Sequence, residues 1–157
     1  MRRKDGVPVT TISIECPGRA DKADWRRLFQ GYADFYRVAM DDQIADTTWE
    51  WIHDPAHVLQ GVIARDAAGT AVGLAHFRAM PSPLRGIEIG FLDDLYVDPA
   101  ARGEDVGEAL LRHVAAEGRR RGWPKIRWIT ADDNYRARAL YDRVGAKTLW
   151  NVYELIP

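Results

Sequence analysis

The residues with the clearest chemical potential lie in the C-terminal half of the chain. The stretch Asp94-Leu95-Tyr96-Val97-Asp98-Pro99-Ala100-Ala101-Arg102-Gly103-Glu104-Asp105-Val106-Gly107-Glu108-Ala109-Leu110-Leu111 carries a strand pattern through a glycine-containing turn into a helix pattern. Such a junction leaves first-turn N–H groups without intrahelical partners and sets the positive helix end at the turn. That makes it a candidate anion site for a phosphate. A P-loop is excluded, because no Lys-Ser or Lys-Thr follows the second glycine, and a dinucleotide fingerprint is absent. Downstream, Asn134-Tyr135-Arg136-Ala137-Arg138-Ala139-Leu140-Tyr141-Asp142-Arg143-Val144-Gly145 puts Ala137, Leu140, Tyr141 and Val144 on one helical face. On spacing alone Tyr141 reads as a core residue.

The elements that must position these residues follow from periodicity and punctuation. Val9 to Ile14 alternates as a first strand, with Ile12 and Ile14 on one face, until Pro17-Gly18 ends it. Trp25, Leu28, Phe29, Tyr32, Phe35 and Tyr36 recur at helical spacing, which predicts an amphipathic helix from about Asp21 to Val38 with an inward aromatic stripe. Thr47-Thr48-Trp49-Glu50 has the form of a capping box opening a second, short helix that Pro55 closes. Val58 to Ala64 and Ala71 to Phe77 read as a hairpin around Asp66-Ala67-Ala68-Gly69. A further strand, Ile87 to Val97, follows the Pro81-Ser82-Pro83 loop. A helix from about Asp105 to Arg120, ended by Gly122 and Pro124, leads to a short strand over Ile126 to Ile129. A helix from Asn134 to Val144, capped by Asp133 and Gly145, and a last strand from Thr148 to Leu155 complete the series. The fold class is therefore α/β (α+β), with a parallel strand pair around the helix after Val97 in an otherwise antiparallel sheet.

At 157 residues and 17.8 kDa, with 46% hydrophobic content, the chain is expected to form a single domain over 1–157. Lys and Arg number 22 against 23 Asp and Glu, so the totals carry no nucleic-acid or polybasic membrane footprint. A small-molecule partner is the expectation. Cys16, the single cysteine, cannot make an internal disulfide. His53, His57, His76 and His113 are dispersed, and Pro55 interrupts the helical spacing that would pair the first two, so no metal site is expected. Without a membrane-spanning run or an apolar signal core, the expected location is cytoplasmic.

The two chemical segments together resemble the GNAT superfamily of N-acetyltransferases. Its pyrophosphate loop reads Arg or Gln, two residues, Gly, one residue, then Gly or Ala; Arg102 and Gly107 match, while Asp105 stands at the middle glycine. Its downstream pattern is Asn, two residues, Ala, two residues, Leu-Tyr, three residues, Gly, and every fixed position is present from Asn134 to Gly145. The resemblance covers about Ile87 to Leu155 and looks closest to the histone-and-polyamine acetyltransferase subgroup. It implies about four helices and a mixed, mostly antiparallel sheet in which one parallel pair splays apart.

By that resemblance the pantetheine arm of acetyl-CoA would lie between the parted strands. Backbone groups of Leu95, Tyr96 and Val97 would bond it, one of them also holding the oxyanion. Amides of Arg102, Gly103, Asp105, Val106, Gly107 and Glu108 would take the pyrophosphate, and Asn134 would tether the pantetheine. Transfer would proceed in a ternary complex to a primary amine: a small amine, a polyamine, an amino acid or a lysine side chain. An alkylamine of pKa about 10.4 must lose a proton before it attacks. Asp93 and Asp94 are the candidate bases, with Glu88 behind them, and strand alternation lets only one of the two aspartates face the cleft. Tyr141 would protonate the departing thiolate. Trp25, Trp49, Trp51 and Tyr36 are candidates for an acceptor pocket, and the subgroup implies a homodimer. The alternative is a non-catalytic acyl-CoA-binding or regulatory module on the same fold, with Asp105 as its motive.

Overall fold

The computed structural model describes residues 11–103 and 105–157. The part of the expected first strand at Val9 and Thr10 lies outside these residues; Ser13–Glu15 forms β1. Two helices follow, α1 (Lys22–Tyr36) and α2 (Asp42–His53). Then come β2 (Gln60–Arg65), β3 (Ala71–Ser82) and β4 (Ile87–Val97), and after them α3 (Val106–Arg121), β5 (Ile126–Arg127) and α4 (Tyr135–Val144).

The sheet order is β1-β2-β3-β4-β5, antiparallel throughout except for the parallel pair β4 and β5. Strand alternation divides the core in two. Val62, Ala64, Phe77 and Leu92 pack with Val106, Leu110 and Val114 of α3. Ile63 and Leu74, on the opposite face, pack with Trp25 and Leu28 of α1 and with Ala45 and Trp49 of α2. Each of these large side chains, taken fully from water, stabilises the fold by roughly 1.5–3 kcal/mol before entropy is counted. The sheet is thereby clamped between α1 and α2 on one side and α3 on the other.

Several element boundaries differ from the sequence reading, each for a local reason. Helix α2 begins a turn and a half before the expected capping box. Asp41 is its N-cap, accepting from the Ile44 N–H at 2.8 Å, while the Thr47 and Thr48 hydroxyls donate back to the carbonyls of Gln43 and Ile44. An aspartate aimed at the first turn outcompetes threonines already inside a helix. Strand β3 continues past Phe77 through Pro81 to Ser82, because it stays paired with β4 down to Ser82 opposite Ile87. Helix α4 has Asn134 rather than Asp133 as its cap. Strand β5 is two residues long, and the expected last strand over Thr148 to Leu155 does not form. Leu149, Trp150, Tyr153 and Leu155 are each more than four-fifths exposed, and the segment finds no partner edge among the described residues.

Candidate active site

The site originates where β4 and β5 part. Their pairing is limited to Gly90 with Ile126 and Phe91 with Arg127, so the remainder of β4 is bonded on its β3 side and open on the other. Just beyond this point the register slips: Phe77 opposes Leu92, but His76 opposes Asp94, which leaves Asp93 as the extra residue of a β-bulge. The bulge corrects the expectation that strand alternation sends the two aspartates to opposite faces of the sheet. His76 and Arg78, two residues apart on β3, share a face, and they take Asp94 and Asp93 respectively. Leu92 and Leu95 both stay with the α3 core.

The two carboxylates have different surroundings. Asp93 receives Arg78 Nε at 3.1 Å on both oxygens. Burial raises its pKa, and Arg78 opposes that rise by favouring the ionised form. Asp94 meets the wholly buried imidazole of His76, with Nδ1 to Oδ2 at 2.8 Å, and lies near enough to the Tyr32 hydroxyl to help raise its pKa, behind the larger effect of burial. Glu88 is exposed near the far end of the same strand, opposite Pro81, and takes no part in this arrangement.

A cavity of about 340 Å³ extends from the open edge of β4 to α1, α3 and α4. Leu95, Tyr96 and Val97 supply its strand wall. A turn at Pro99–Ala101, capped by Asp98 accepting from Ala100 N–H, brings Arg102 and Gly103 to its rim. Gly103 has φ of 95° and Asp105 φ of 61°, so the chain passes twice through the left-handed region before α3 starts. The first hydrogen bond across that helix start runs from Ala109 N–H to the Asp105 carbonyl. The amides of Val106, Gly107 and Glu108 therefore precede the helical ladder, and all three residues line the cavity. A left-handed turn feeding first-turn amides, with Arg102 and Arg143 among the lining residues, fits a pyrophosphate. Glu108 is spoken for: hydrogen bonds from Arg143 and Arg112, each at 2.6 Å, hold its carboxyl below the usual range and join α3 to α4.

Helix α4 closes the cavity opposite β4. Its cap Asn134 accepts from Ala137 N–H through the side-chain oxygen and directs Nδ2 to the Tyr36 hydroxyl and Thr130 Oγ1, all at 3.4 Å. Tyr141 packs edge-on against Trp128, ring centroids 5.4 Å apart, and burial with the neighbouring Tyr36 pushes its hydroxyl up to about 12. A phenol so placed holds its proton at neutral pH and can share or donate it to a developing anion.

Comparison with known proteins bears directly on this arrangement. Residues 25–146 match the family model described as Acetyltransferase (GNAT) family. The chain belongs to the GNAT family of acetyltransferases. It is 33% identical over 129 residues to a D-amino-acid N-acetyltransferase of Saccharomyces cerevisiae, covering 82% of this chain and 80% of that protein. An aminoglycoside N-acetyltransferase solved in complex with CoA superposes with a TM-score of 0.80 at 20% identity, covering 94% of this chain and 95% of the other. A ribosomal-protein-alanine N-acetyltransferase of Brucella melitensis gives 0.77 at 23% identity, covering 93% and 99%. At such identities the two structures speak to the fold alone.

Within the GNAT frame, every residue expected to bind the cofactor lines the one cavity, and Tyr141 lines it too. Asp93 and Asp94 do not line it; they stand behind Tyr32 and beside Arg78. The expected acceptor pocket does not assemble. Trp25 and Trp49 are core residues at 0% and 1% exposure, and Trp51 stacks on His57 away from the cleft, which leaves Tyr36. Sequence reasoning missed Tyr32, His76 and Arg78 as neighbours of the aspartates. Tyr32 was visible as one member of the α1 stripe, but the bulge that brings β3 side chains to both aspartates has no sequence signal.

Proposed function

We propose that this GNAT chain, as one N-acetyltransferase domain, transfers an acetyl group from acetyl-CoA to a primary amine by direct attack in a ternary complex. The observation that carries this reading is the single cleft shared by an open strand edge at Leu95 to Val97, the first-turn amides of α3 and the Tyr141 hydroxyl. The arm of the thioester takes the unpaired β4 edge as a surrogate strand, and one of its amides polarises the carbonyl. The amides from Arg102 to Glu108 take the pyrophosphate, Asn134 Nδ2 anchors the arm, and Tyr141 protonates the departing sulfur. Asp93 and Asp94 form the acidic end toward which the amine proton leaves. Holding both substrates side by side supplies much of the acceleration.

The acceptor class stays broad: small amine, polyamine, amino acid or lysine side chain. The similarity to a D-amino-acid N-acetyltransferase supports an amino-acid amine among these. A homodimer is part of the reading, supported by the exposed apolar side chains of Leu149, Trp150, Tyr153 and Leu155, which a second copy can cover. Sedimentation of the full chain and of a form ending at Ala146 tests it; a monomer in both refutes the dimer. A cytoplasmic place of action is part of the reading; no helix among the described residues is long and apolar enough to cross a membrane.

The test is release of free CoA from acetyl-CoA on addition of a panel of amines. Turnover with at least one amine is expected. Tight binding of acetyl-CoA with no release for any amine would replace this reading with that of a binding module, for which Asp105 in the loop is the one favouring feature.

A further inference from the structure

Two buried side chains on the α1 face, Trp25 and His76, lead to Asp94 and have no use in the roles above. Trp25 Nε1 donates to His76 Nε2 over 2.9 Å, and His76 Nδ1 meets Asp94 at 2.8 Å. An indole N–H only donates, so Nε2 is the accepting nitrogen and the proton of the neutral ring resides on Nδ1, where it donates to Asp94. Trp25 and His76 are both at 0% exposure, and a second proton on the ring would set two N–H groups against each other in a dry core. Both ring nitrogens of His76 are thus engaged, and the ring fixes Asp94 in place. The Tyr32 hydroxyl is a further neighbour of Asp94, and Tyr32 lines the cavity whereas Asp94 does not. A phenol can donate to one group while accepting from another.

We propose that Tyr32 is a catalytic residue that passes the proton of the acceptor amine from the cavity to Asp94, and that His76 is the positioning residue holding Asp94 for it. The inference rests on the acetyltransferase reading and adds to it the route by which the nucleophile is made neutral. One N–H bond of the ammonium breaks toward Tyr32 Oη while the Tyr32 O–H bond breaks toward Asp94, which ends as the neutral acid. The nitrogen, now neutral, bonds to the thioester carbonyl carbon. On collapse the C–S bond breaks, the sulfur takes the Tyr141 proton, and the second proton leaving the nitrogen passes through water to the Tyr141 oxygen. Asp94 then returns its proton to bulk water along the same path. Burial and the neighbouring Asp94 push the Tyr32 hydroxyl far above the usual tyrosine range, so it acts as a shuttle that keeps a proton and not as a phenolate base. Tyr36 and Tyr141 are the other titratable groups bearing on Tyr32, and Asp93 with its partner Arg78 bears on Asp94.

The test compares wild type with Tyr32→Phe on a fully basic alkylamine between pH 7 and pH 10, and on a weakly basic hydrazide that is already neutral. With the alkylamine, kcat/KM should fall roughly 10²-fold at pH 7, the scale of a lost proton-transfer group, while CoA affinity is unchanged. The deficit should narrow as pH approaches the amine pKa of about 10.4, and it should be small with the hydrazide at every pH. Asp94→Asn should give the same profile, and the double variant should be no worse than either single one, because the links act in series. A deficit equal at all pH values and for both acceptors is a packing effect and overturns the relay. Nitrogen NMR of His76 in the substrate-free protein is expected to show a neutral ring protonated on Nδ1; a proton on Nε2 also overturns it. A wild type that turns over no amine removes the acetyltransferase reading and the relay together, whereas turnover with a flat deficit removes the relay alone.

Discussion

Gly31 of α1 lies directly against the phenol of Tyr96 on β4: a Cβ placed at Gly31 would stand 2.7 Å from Tyr96 Cζ. Helix α1 thus comes close enough to the strand wall of the cavity only because this position has no side chain. Helix propensity alone favours Gly31→Ala by about 1 kcal/mol, while overpacking costs roughly 1–3 kcal/mol. The net expectation is a destabilised protein with weaker CoA binding, because Tyr96 must move into the cleft. Urea unfolding and calorimetry read both; a stabilised variant with unchanged affinity would show that the contact relaxes freely.

Asp105 occupies a left-handed position, φ 61°, at the start of α3, where glycine carries no Cβ penalty. Asp105→Gly should relieve about 1 kcal/mol of backbone strain, set against whatever the carboxylate contributes to the loop. It also removes a carboxylate from the rim of the anion site, which should tighten CoA about fivefold at low salt. Thermal unfolding with and without CoA measures the two effects separately. Weaker CoA binding by the glycine variant would mean that the carboxylate supports the loop rather than opposing the ligand.

Tyr141 keeps its proton up to about pH 12, since burial and then Tyr36 raise its hydroxyl that far. Tyr141→Phe should therefore lower kcat about 10²-fold and leave the CoA dissociation constant within a factor of two. In the wild type the pH profile should show no falling limb from this hydroxyl below about pH 10. An undiminished rate in the variant would take the proton-donor role away from Tyr141.

Glu117 gives a stability prediction independent of catalysis. Hydrogen bonds from Arg120 and Arg121 hold its carboxyl down to about 2, against the raising effect of burial. The folded pKa is the lower one, so the stabilisation is present above the ordinary value of 4.5 and is lost as pH falls from there toward about 2. Arg120 is 70% exposed, and solvent screening limits the gain to about 1 kcal/mol. Glu117→Gln should lose that amount at pH 7 and show a flatter stability curve between pH 4.5 and pH 2. Parallel curves for the two proteins would mean that the pairs contribute nothing.

Much of the scaffold was legible because it depends on local repetition. The α1 stripe from Trp25 to Tyr36 has helical spacing, Gly122 takes the left-handed conformation that ends α3, and the Asp66 turn joins β2 to β3 as read. Boundaries failed where two local options competed, as with Asp41 and Thr47 for the cap of α2. The last strand failed for a different reason. The run after Lys147 is rich in β-prone residues such as Thr148, Trp150, Val152 and Tyr153, but a strand also needs an edge to pair with, and β5 offers two residues.

By itself the sequence determined the identities and order of the chemical groups: the turn from Arg102 to Gly107, the capping asparagine and the tyrosine one helical face beyond it. Those relations span a few residues, so composition and spacing encode them. Only the tertiary structure decided which groups meet. A one-residue bulge at Asp93 puts two adjacent carboxylates on the same side of the sheet, and α1 brings Tyr32 between one of them and the cavity. Register and helix approach are set by packing between segments distant in sequence, where Trp25 meets His76 across 51 positions, and no local pattern carries that information.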